Sequence, residues 1–421
     1  MDKKYKFLIS KGIYNNTTHR YDHDSMVTVD DKIVWIGNHD RVPSQFSVRS
    51  NQLDLSRWYL FPGLINTHVH LEFDASSETM QHYVAQSSES RMQLALEHAH
   101  TLLMSGVTTV RDAGSSWQLL SIEGKSKEKD ICIPRIQMCG PPITITNGHL
   151  HGMGGVADTQ EELKETVVEH HDRGCEAIKI MATGGQLTPG SKPERAAYTK
   201  ADIEVIVKTA HELGLPTLAH SLAAEGFANC MEGGVDCIEH CGCFVRDKTS
   251  GRLKREYNAA VMDQYKGIQR YFMNGLSTCY RSLDGIRLRA NNLDENERYK
   301  LEQQEEIFRI FRKLLELGLV PVVGTDAGVW DTQFDETWLE LVLMCERGGL
   351  STIETIDSAT IASAACVGMD RMIGRLCEGH VADIVAVEQN PLEDIEVFNN
   401  IPWVMHDGKI VKNCISNDGN R

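Results

Sequence analysis

Apolar positions along this chain fall into two regimes. From residue 4 to about 60, and again beyond about 377, they come in short runs separated by turn residues. Near the N-terminus, YKFLIS and DSMVTVDDKIVWIGNHD mark strands, with Val27, Val29, Ile33, Val34 and Ile36 on either side of an Asp30-Asp31 turn. ADIVAVE at 382–388 and PWVMHDGKIVK at 402–412 repeat the pattern around an Asp-Gly turn. Two strand-rich ends around a different middle predict that residues 1–60 and 377–421 fold together as one small β-sandwich domain.

The middle, 61–376, alternates strand-like and helix-like segments. Its strand candidates are WYLFPGLINTHVH, VTTVRDAG, PRIQMCG, EAIKIMATGG, LPTLAHS, VDCIEHCG, LSTCY and LVPVVGTDAG. Helical segments lie between most of them. In TKADIEVIVKTAHELG, Thr199 and Asp202 have capping-box spacing, and Ile203, Ile206, Val207 and Ala210 recur at i, i+3, i+4 and i+7. Gly214 then stands where a helix ends. Eight βα units in series predict an α/β fold of the (β/α)8 TIM-barrel type rather than a doubly wound sheet. The polar stretch at 246–310 is expected to be a helical excursion between strands 6 and 8.

Composition narrows the class. A chain of 421 residues exceeds one compact core, and a barrel plus a small accessory domain accounts for it. A net charge of −16 argues against a nucleic-acid partner, because displacing counterions needs clustered Lys and Arg. No apolar stretch approaches a membrane span, and MDKKYKFLIS lacks the apolar length of a signal peptide. Twelve scattered cysteines make no disulfide framework or zinc-finger spacing, so free thiols in a reducing cytoplasm are expected.

The chemistry-bearing side chains fall at matching places. His68 and His70 close the first apolar strand, Lys179 lies in the fourth, and His220 and His240 end the fifth and sixth. Asp326 ends the eighth. In a barrel these positions share the C-terminal face, where such folds build their active sites. The His-x-His spacing puts both imidazoles on one side of an extended strand, within reach of a single ion. Nitrogen and carboxylate donors suit zinc, with manganese, iron and cobalt as alternatives. Lysine in an apolar strand is costly unless neutral or paired, so Lys179 is either chemically special or half of a salt bridge.

FPGLINTHVHLEF, EAIKIMATGGQLTPG, LPTLAHS, CIEHCG and VVGTDAG resemble, in order, the strand-end motifs of the amidohydrolase superfamily. They are most similar to its binuclear metal-dependent dipeptidase and carboxypeptidase branch, grouped with imidazolonepropionase-related proteins. GRLCEGHVADIVAVEQNPLEDI at 374–395 is similar to that family's return into the β-domain. The resemblance implies two divalent ions, zinc foremost. His68 and His70 would bind the more buried ion, and His220 and His240 the second. Lys179, carboxylated by CO2, would bridge both, and Asp326 would bind the first ion and act as the base. Only a neutral amine captures CO2, and burial lowers a lysine's pKa toward neutrality. Two ions would activate a shared water and polarise a scissile carbonyl, which implies hydrolysis of a C–N bond.

Substrate contacts are less marked. His149 and His151 lie in the glycine-rich PPITITNGHLHGMGG, with His149 the candidate to stabilise an oxyanion or hold a carboxylate. Tyr280 and Arg281 follow the seventh strand candidate and are expected to meet a substrate carboxylate. Arg111 and Asp112 are expected to pair at the rim, and Gly184 and Gly185 to leave room beside Lys179. The leading substrate class is dipeptides or N-acyl amino acids with a free C-terminal carboxylate. The alternative is a cyclic amide or imidazolone ring, or deamination. Lys179 and the alanine at 223, where mononuclear deaminases carry Glu, count against deamination. Relatives of this kind also imply a homo-oligomer.

Overall fold

The computed structural model describes residues 5–46, 51–289 and 293–415. Both termini contribute to one seven-stranded sheet. Its N-terminal strands are β1 (Tyr5–Asn15), β2 (Arg20–Val29), β3 (Lys32–Gly37) and β4 (Gln52–Pro62). The parallel strands of the middle follow as β5 (Leu64–Val69), β6 (Val107–Asp112), β7 (Arg135–Met138), β8 (Ile178–Met181), β9 (Thr217–Ser221) and β10 (Cys237–His240). A hairpin, β11 (Phe244–Arg246) and β12 (Leu253–Arg255), precedes β13 (Tyr271–Met273) and β14 (Val320–Pro321). The chain then returns to the terminal sheet through β15 (Ile384–Val387), β16 (Trp403–His406) and β17 (Lys409–Asn413).

The terminal sheet runs β17-β16-β15-β4-β1-β2-β3. Two tight turns meet in it. Asp30, at φ 53°, turns β2 into β3, and Asp407-Gly408, both at positive φ, turn β16 into β17. A Cβ on Gly408 would sit 1.9 Å from the Asp30 carbonyl oxygen, so only glycine allows the turns to touch. Leu8, Ile13, Met26, Ile33, Leu60, Ile384, Trp403 and Met405 form the apolar core of this sheet.

One apolar run read as a single strand, residues 58–70, is split. Its first half completes β4 and its second half is β5. The hinge is Gly63, where a Cβ would lie 2.2 Å from the Thr108 hydroxyl oxygen. A close approach of β6, rather than a polar break in the sequence, divides the run.

The middle strands form two parallel groups, β5-β6-β7 and β14-β13-β10-β9-β8. Backbone hydrogen bonds join the groups at both ends. Ile143 N–H donates to the Lys179 carbonyl (2.8 Å) and Met181 N–H to the Ile143 carbonyl (2.9 Å). On the other side Thr67 N–H donates to Val323, Asp326 N–H to His68 and His70 N–H to Ala327, at 2.7–2.9 Å. All eight strands therefore end on the same side.

Helices cover this layer for the reasons their sequences carry. Lys200–Glu212 begins with the reciprocal Thr199–Asp202 box and buries Ile203, Ile206, Val207 and Ala210. Glu295–Leu317, capped by Asp294 and Glu297, buries Ile307, Phe308, Ile310, Phe311, Leu314 and Leu317, each worth roughly 1.5–3 kcal/mol in transfer free energy.

Two expectations are corrected. LSTCY is not a strand but the helix Leu276–Arg281. The buried Glu340 carboxylate accepts hydrogen bonds from the Leu276 and Ser277 amides, at 3.0 and 2.7 Å, and so stabilises a helix start that local propensity does not favour. The seventh strand is the shorter Tyr271–Met273 just before it. The excursion is also mixed: it contains the β11–β12 hairpin and β13 as well as helices.

Candidate metal centre and active site

His68 and His70 leave the end of β5 on the same side, as alternation dictates. Their Nε2 atoms are 3.3 Å apart. The same Asp326 oxygen, Oδ1, lies 3.2 Å from His68 Nε2 and 3.3 Å from His70 Nε2. His70 Nδ1 donates to the Gly114 carbonyl at 3.1 Å, which leaves its Nε2 lone pair directed at this triangle. Two imidazole nitrogens and a carboxylate oxygen converging in a buried site are the donor set of a divalent cation, and they fit one. The Asp326 carboxyl is held well below the usual range: burial opposes ionisation, but His68 and His70 outweigh it. The same carboxylate, against the effect of burial, raises the pKa of His70.

A second set adjoins the first. The His240 ring centroid is 5.0 Å from that of His68 and 4.8 Å from that of His220. Burial holds both His220 and His240 neutral, His240 with a pKa lowered to about 3. His68, Glu239 and His240 also converge closely enough to share an ion. His220 Nε2 donates to the Gly184 carbonyl at 3.2 Å, which leaves the lone pair on Nδ1.

His240 and Asp326 sit at φ 65° and 59°, in the left-handed region. Backbone in that region costs energy and persists only where surrounding structure enforces it, commonly at functional sites. For Asp326 the enforcing contacts are the hydrogen bond from its amide to the His68 carbonyl (2.9 Å) and that from the Ala327 amide to Thr325 Oγ1 (3.2 Å).

Lys179 is fully buried in β8 and ion-paired with Glu239, which is also fully buried. Glu239 Oε1 is also 2.8 Å from His68 Nδ1 and 3.7 Å from Arg111 Nη2. Burial works against its ionisation, yet His68, Lys179 and Arg111 together drive its pKa down. Sequence inspection passed over Glu239, although the argument applied to Lys179 applies equally to a carboxylate inside CIEH. Nor do Arg111 and Asp112 pair. Adjacent strand residues point to opposite faces, so Arg111 donates to the Thr67 carbonyl while Asp112 accepts from Leu71 and Gly114 amides.

Above these groups opens a cavity of about 650 Å³, including its mouth. His70, His149, Lys179, His220, His240 and Asp326 all line it. His149 is buried beside His220, its Nδ1 3.2 Å from the Thr188 hydroxyl, and burial next to Lys179 lowers its pKa to about 3. Gly185 makes room for it: a Cβ there would meet the His149 ring at 2.4 Å. The two glycines thus accommodate His149 and the Lys192 backbone rather than Lys179.

The other substrate candidates stand apart. His151 is exposed, with Nδ1 on the Gly148 carbonyl. Arg281 is engaged by Glu336 (2.9 and 2.6 Å) and Asp284 (2.9 Å) and lines a separate surface depression. The Tyr280 ring is covered by the Arg287 guanidinium, 3.4 Å from its centroid. Both belong to the helix Leu276–Arg281, and neither is among the residues lining the cavity.

The family model described as "Amidohydrolase family" matches residues 59–411. Ochratoxinase of Aspergillus niger is 27% identical over 429 aligned residues, covering 92% of this chain and 83% of the relative. Its crystal structure superposes with a TM-score of 0.79 at 22% identity, covering 98% of this chain and 96% of that one. A Xaa-Pro dipeptidase crystallised with methionine in its active site superposes at 0.82 with 25% identity, covering 97% of this chain and all (100%) of that one. No helix among the described residues is long and apolar enough to cross a membrane. The parallel βα architecture is thus a TIM-barrel-type α/β fold, and the chain belongs to the amidohydrolase family, as a hydrolase acting on amide bonds.

Proposed function

We propose that this chain cleaves the C–N amide bond of small molecules, specifically dipeptides or N-acyl amino acids with a free C-terminal carboxylate, at a binuclear metal centre. The observation that carries this reading is the convergence of His68 Nε2, His70 Nε2 and Asp326 Oδ1 beneath a cavity also lined by Lys179, His220 and His240. The likeness to a dipeptidase that holds an amino acid in its active site supports the substrate class. In this reading residues 61–376 form a closed (β/α)8 hydrolase domain, and residues 1–60 and 377–421 form the β-domain.

His68, His70 and Asp326 would hold one ion, and His220 and His240 the other. Lys179 would join the two as its carbamate, with Glu239 and Arg111 balancing charge beneath. When bound, two zinc ions would supply a Lewis acid for the carbonyl and an acidified water. Asp326, ionised and 14% exposed at the cavity wall, takes up the proton released as water attacks and passes it to the departing nitrogen. His149 stays neutral. With Nδ1 against Thr188, its Nε2 is left to donate to the oxygen on which charge develops.

The test is hydrolysis by the zinc-loaded protein of dipeptides and N-acyl amino acids, each beside its C-terminal amide. Cleavage that depends on the free carboxylate is expected. If the whole panel resists while two metals per chain are measured, the reading fails and cyclic amides and imidazolones take its place.

A further inference from the structure

We propose that Arg255 anchors the substrate's C-terminal carboxylate, an assignment that rests on the amidohydrolase reading above. Arg255 ends β12, in the excursion whose role the sequence left open, and pairs in register with Phe244 of β11. The hairpin is fixed on two sides. Phe244 N–H donates to the Leu222 carbonyl at 2.6 Å, two residues beyond His220. On the other side Gln303, in the helix Glu295–Leu317, accepts from the Arg255 amide at 2.5 Å.

These contacts deliver the guanidinium to the mouth of the metal site. It stacks 4.2 Å above the Phe244 ring, and its Nη1 donates to the Gly242 carbonyl at 3.0 Å, two residues beyond His240. Gly242 permits the approach, since a Cβ there would already be 3.0 Å from Nη1. Arg255 therefore lines the inner cavity together with His149 and Asp326, and also the outer vestibule that leads into it.

Its partners are weak for a half-buried cation. Among the described residues, besides the Phe244 ring and the Gly242 carbonyl, the guanidinium hydrogen-bonds to the Cys279 thiol, at 3.6 Å. Among the described residues no carboxylate comes within ion-pair distance of it, in a chain with 59 acidic and 43 basic residues. Arg281, by contrast, has two carboxylate partners. A planar fork held rigid by stacking, with donors unused by any anion, is suited to a bidentate carboxylate. Arg252 and Lys300 line the vestibule with it, against one acidic residue, Asp331, so the approach is cationic on an otherwise acidic protein. A carboxylate-bearing substrate is drawn inward and stops where Arg255 meets the cavity, its amide directed at Asp326 and His149.

The experiment compares wild type, Arg255→Gln and Arg255→Lys, zinc-loaded, on N-acetyl amino acids and dipeptides and on their C-terminal amides. For the best free-carboxylate substrate, kcat/KM in Arg255→Gln should fall about 100-fold or more, while its amide changes less than about threefold, and Arg255→Lys should recover part of the loss. A purely structural role would depress both substrates alike. Arg255→Gln keeping the wild-type preference for carboxylate overturns the assignment, whether or not the amidase reading stands. A wild type that cleaves carboxylate and amide equally also overturns it. Should no member of the panel be cleaved, the substrate class proposed above fails, and the anchor is judged by equilibrium binding of N-acetyl amino acids and their amides to the metal-free chain. Carboxylate-selective binding that disappears in Arg255→Gln supports it, and unselective binding overturns it.

Discussion

Lys179 of β8 and Glu239 of β10 form an ion pair across the intervening β9, with side chains 1% and 0% exposed. Removing one partner leaves the other as an uncompensated buried charge. Glu239→Gln should therefore destabilise the metal-free protein by about 3–5 kcal/mol, read from chemical unfolding. Lys179→Ala should lose metal on dialysis and at least about 100-fold in kcat, since it removes the proposed bridge between the ions. Wild-type turnover in Lys179→Ala would contradict a binuclear centre built on this lysine.

Asp326 is both a candidate ligand and a carboxylate lining the cavity. Asp326→Asn keeps the shape and removes the proton acceptor, so kcat should drop by about 10² to 10⁴ with little change in unfolding temperature. A variant with near-normal kcat would assign the base elsewhere.

Glu340 lies under the helix Leu276–Arg281, and burial raises its pKa from 4.5 to about 7 despite the amides bonded to it. The folded chain thus binds this proton more tightly than the unfolded chain does. Its stabilising contribution is complete below pH 4.5 and is lost as pH rises through about 7. Relative to wild type, Glu340→Gln should gain up to about 3 kcal/mol across that interval, measured as unfolding free energy at stepped pH. A difference between the two proteins that stays constant with pH would refute the assignment.

Asp383 joins the terminal sheet to the parallel strands. It accepts from Arg135 of β7 at 2.8 Å, and from His406 Nδ1 and the Asp407 amide at 2.9 Å each. Burial raises its pKa, but His406 and Arg135 more than reverse this and leave it lowered. Its contribution is therefore present above the ordinary value of 3.8 and is lost as pH falls below that. Asp383→Asn should cost about 3 kcal/mol near neutrality, with the gap to wild type narrowing in acid. Equal stability of the two proteins at pH 7 would show that Arg135 finds another partner.

Legibility differed by the type of signal. Thr199 and Asp202, the Asp407-Gly408 turn and the 3.6-residue spacing of Ile203 to Ala210 are local, and each reads in the sequence as it stands in the fold. His68, His70, Lys179, His220, His240 and Asp326 were legible as a group because strand ends of a parallel βα array must share one face. Glu239 carried a signal that went unread, a charge inside an apolar strand. LSTCY misled because its helix start depends on Glu340, more than sixty residues away in the chain. Arg255 carried no local signal at all.

By itself, then, the sequence determined the alternation of elements, two strand-rich ends around a βα middle, and the placing of His68, His70, Lys179, His220, His240 and Asp326 at or near strand ends. These follow from side-chain periodicity and from the cost of burying polar groups, which act at short range. Only the tertiary structure decided which neighbours each buried charge meets. It pairs Lys179 with Glu239, separates Arg111 from Asp112, turns Arg281 outward onto Glu336 and brings Arg255 over the mouth. Such contacts depend on the packing of segments distant in the chain, and the energy of a charge in a low-dielectric interior is set by those neighbours rather than by its own place in the sequence.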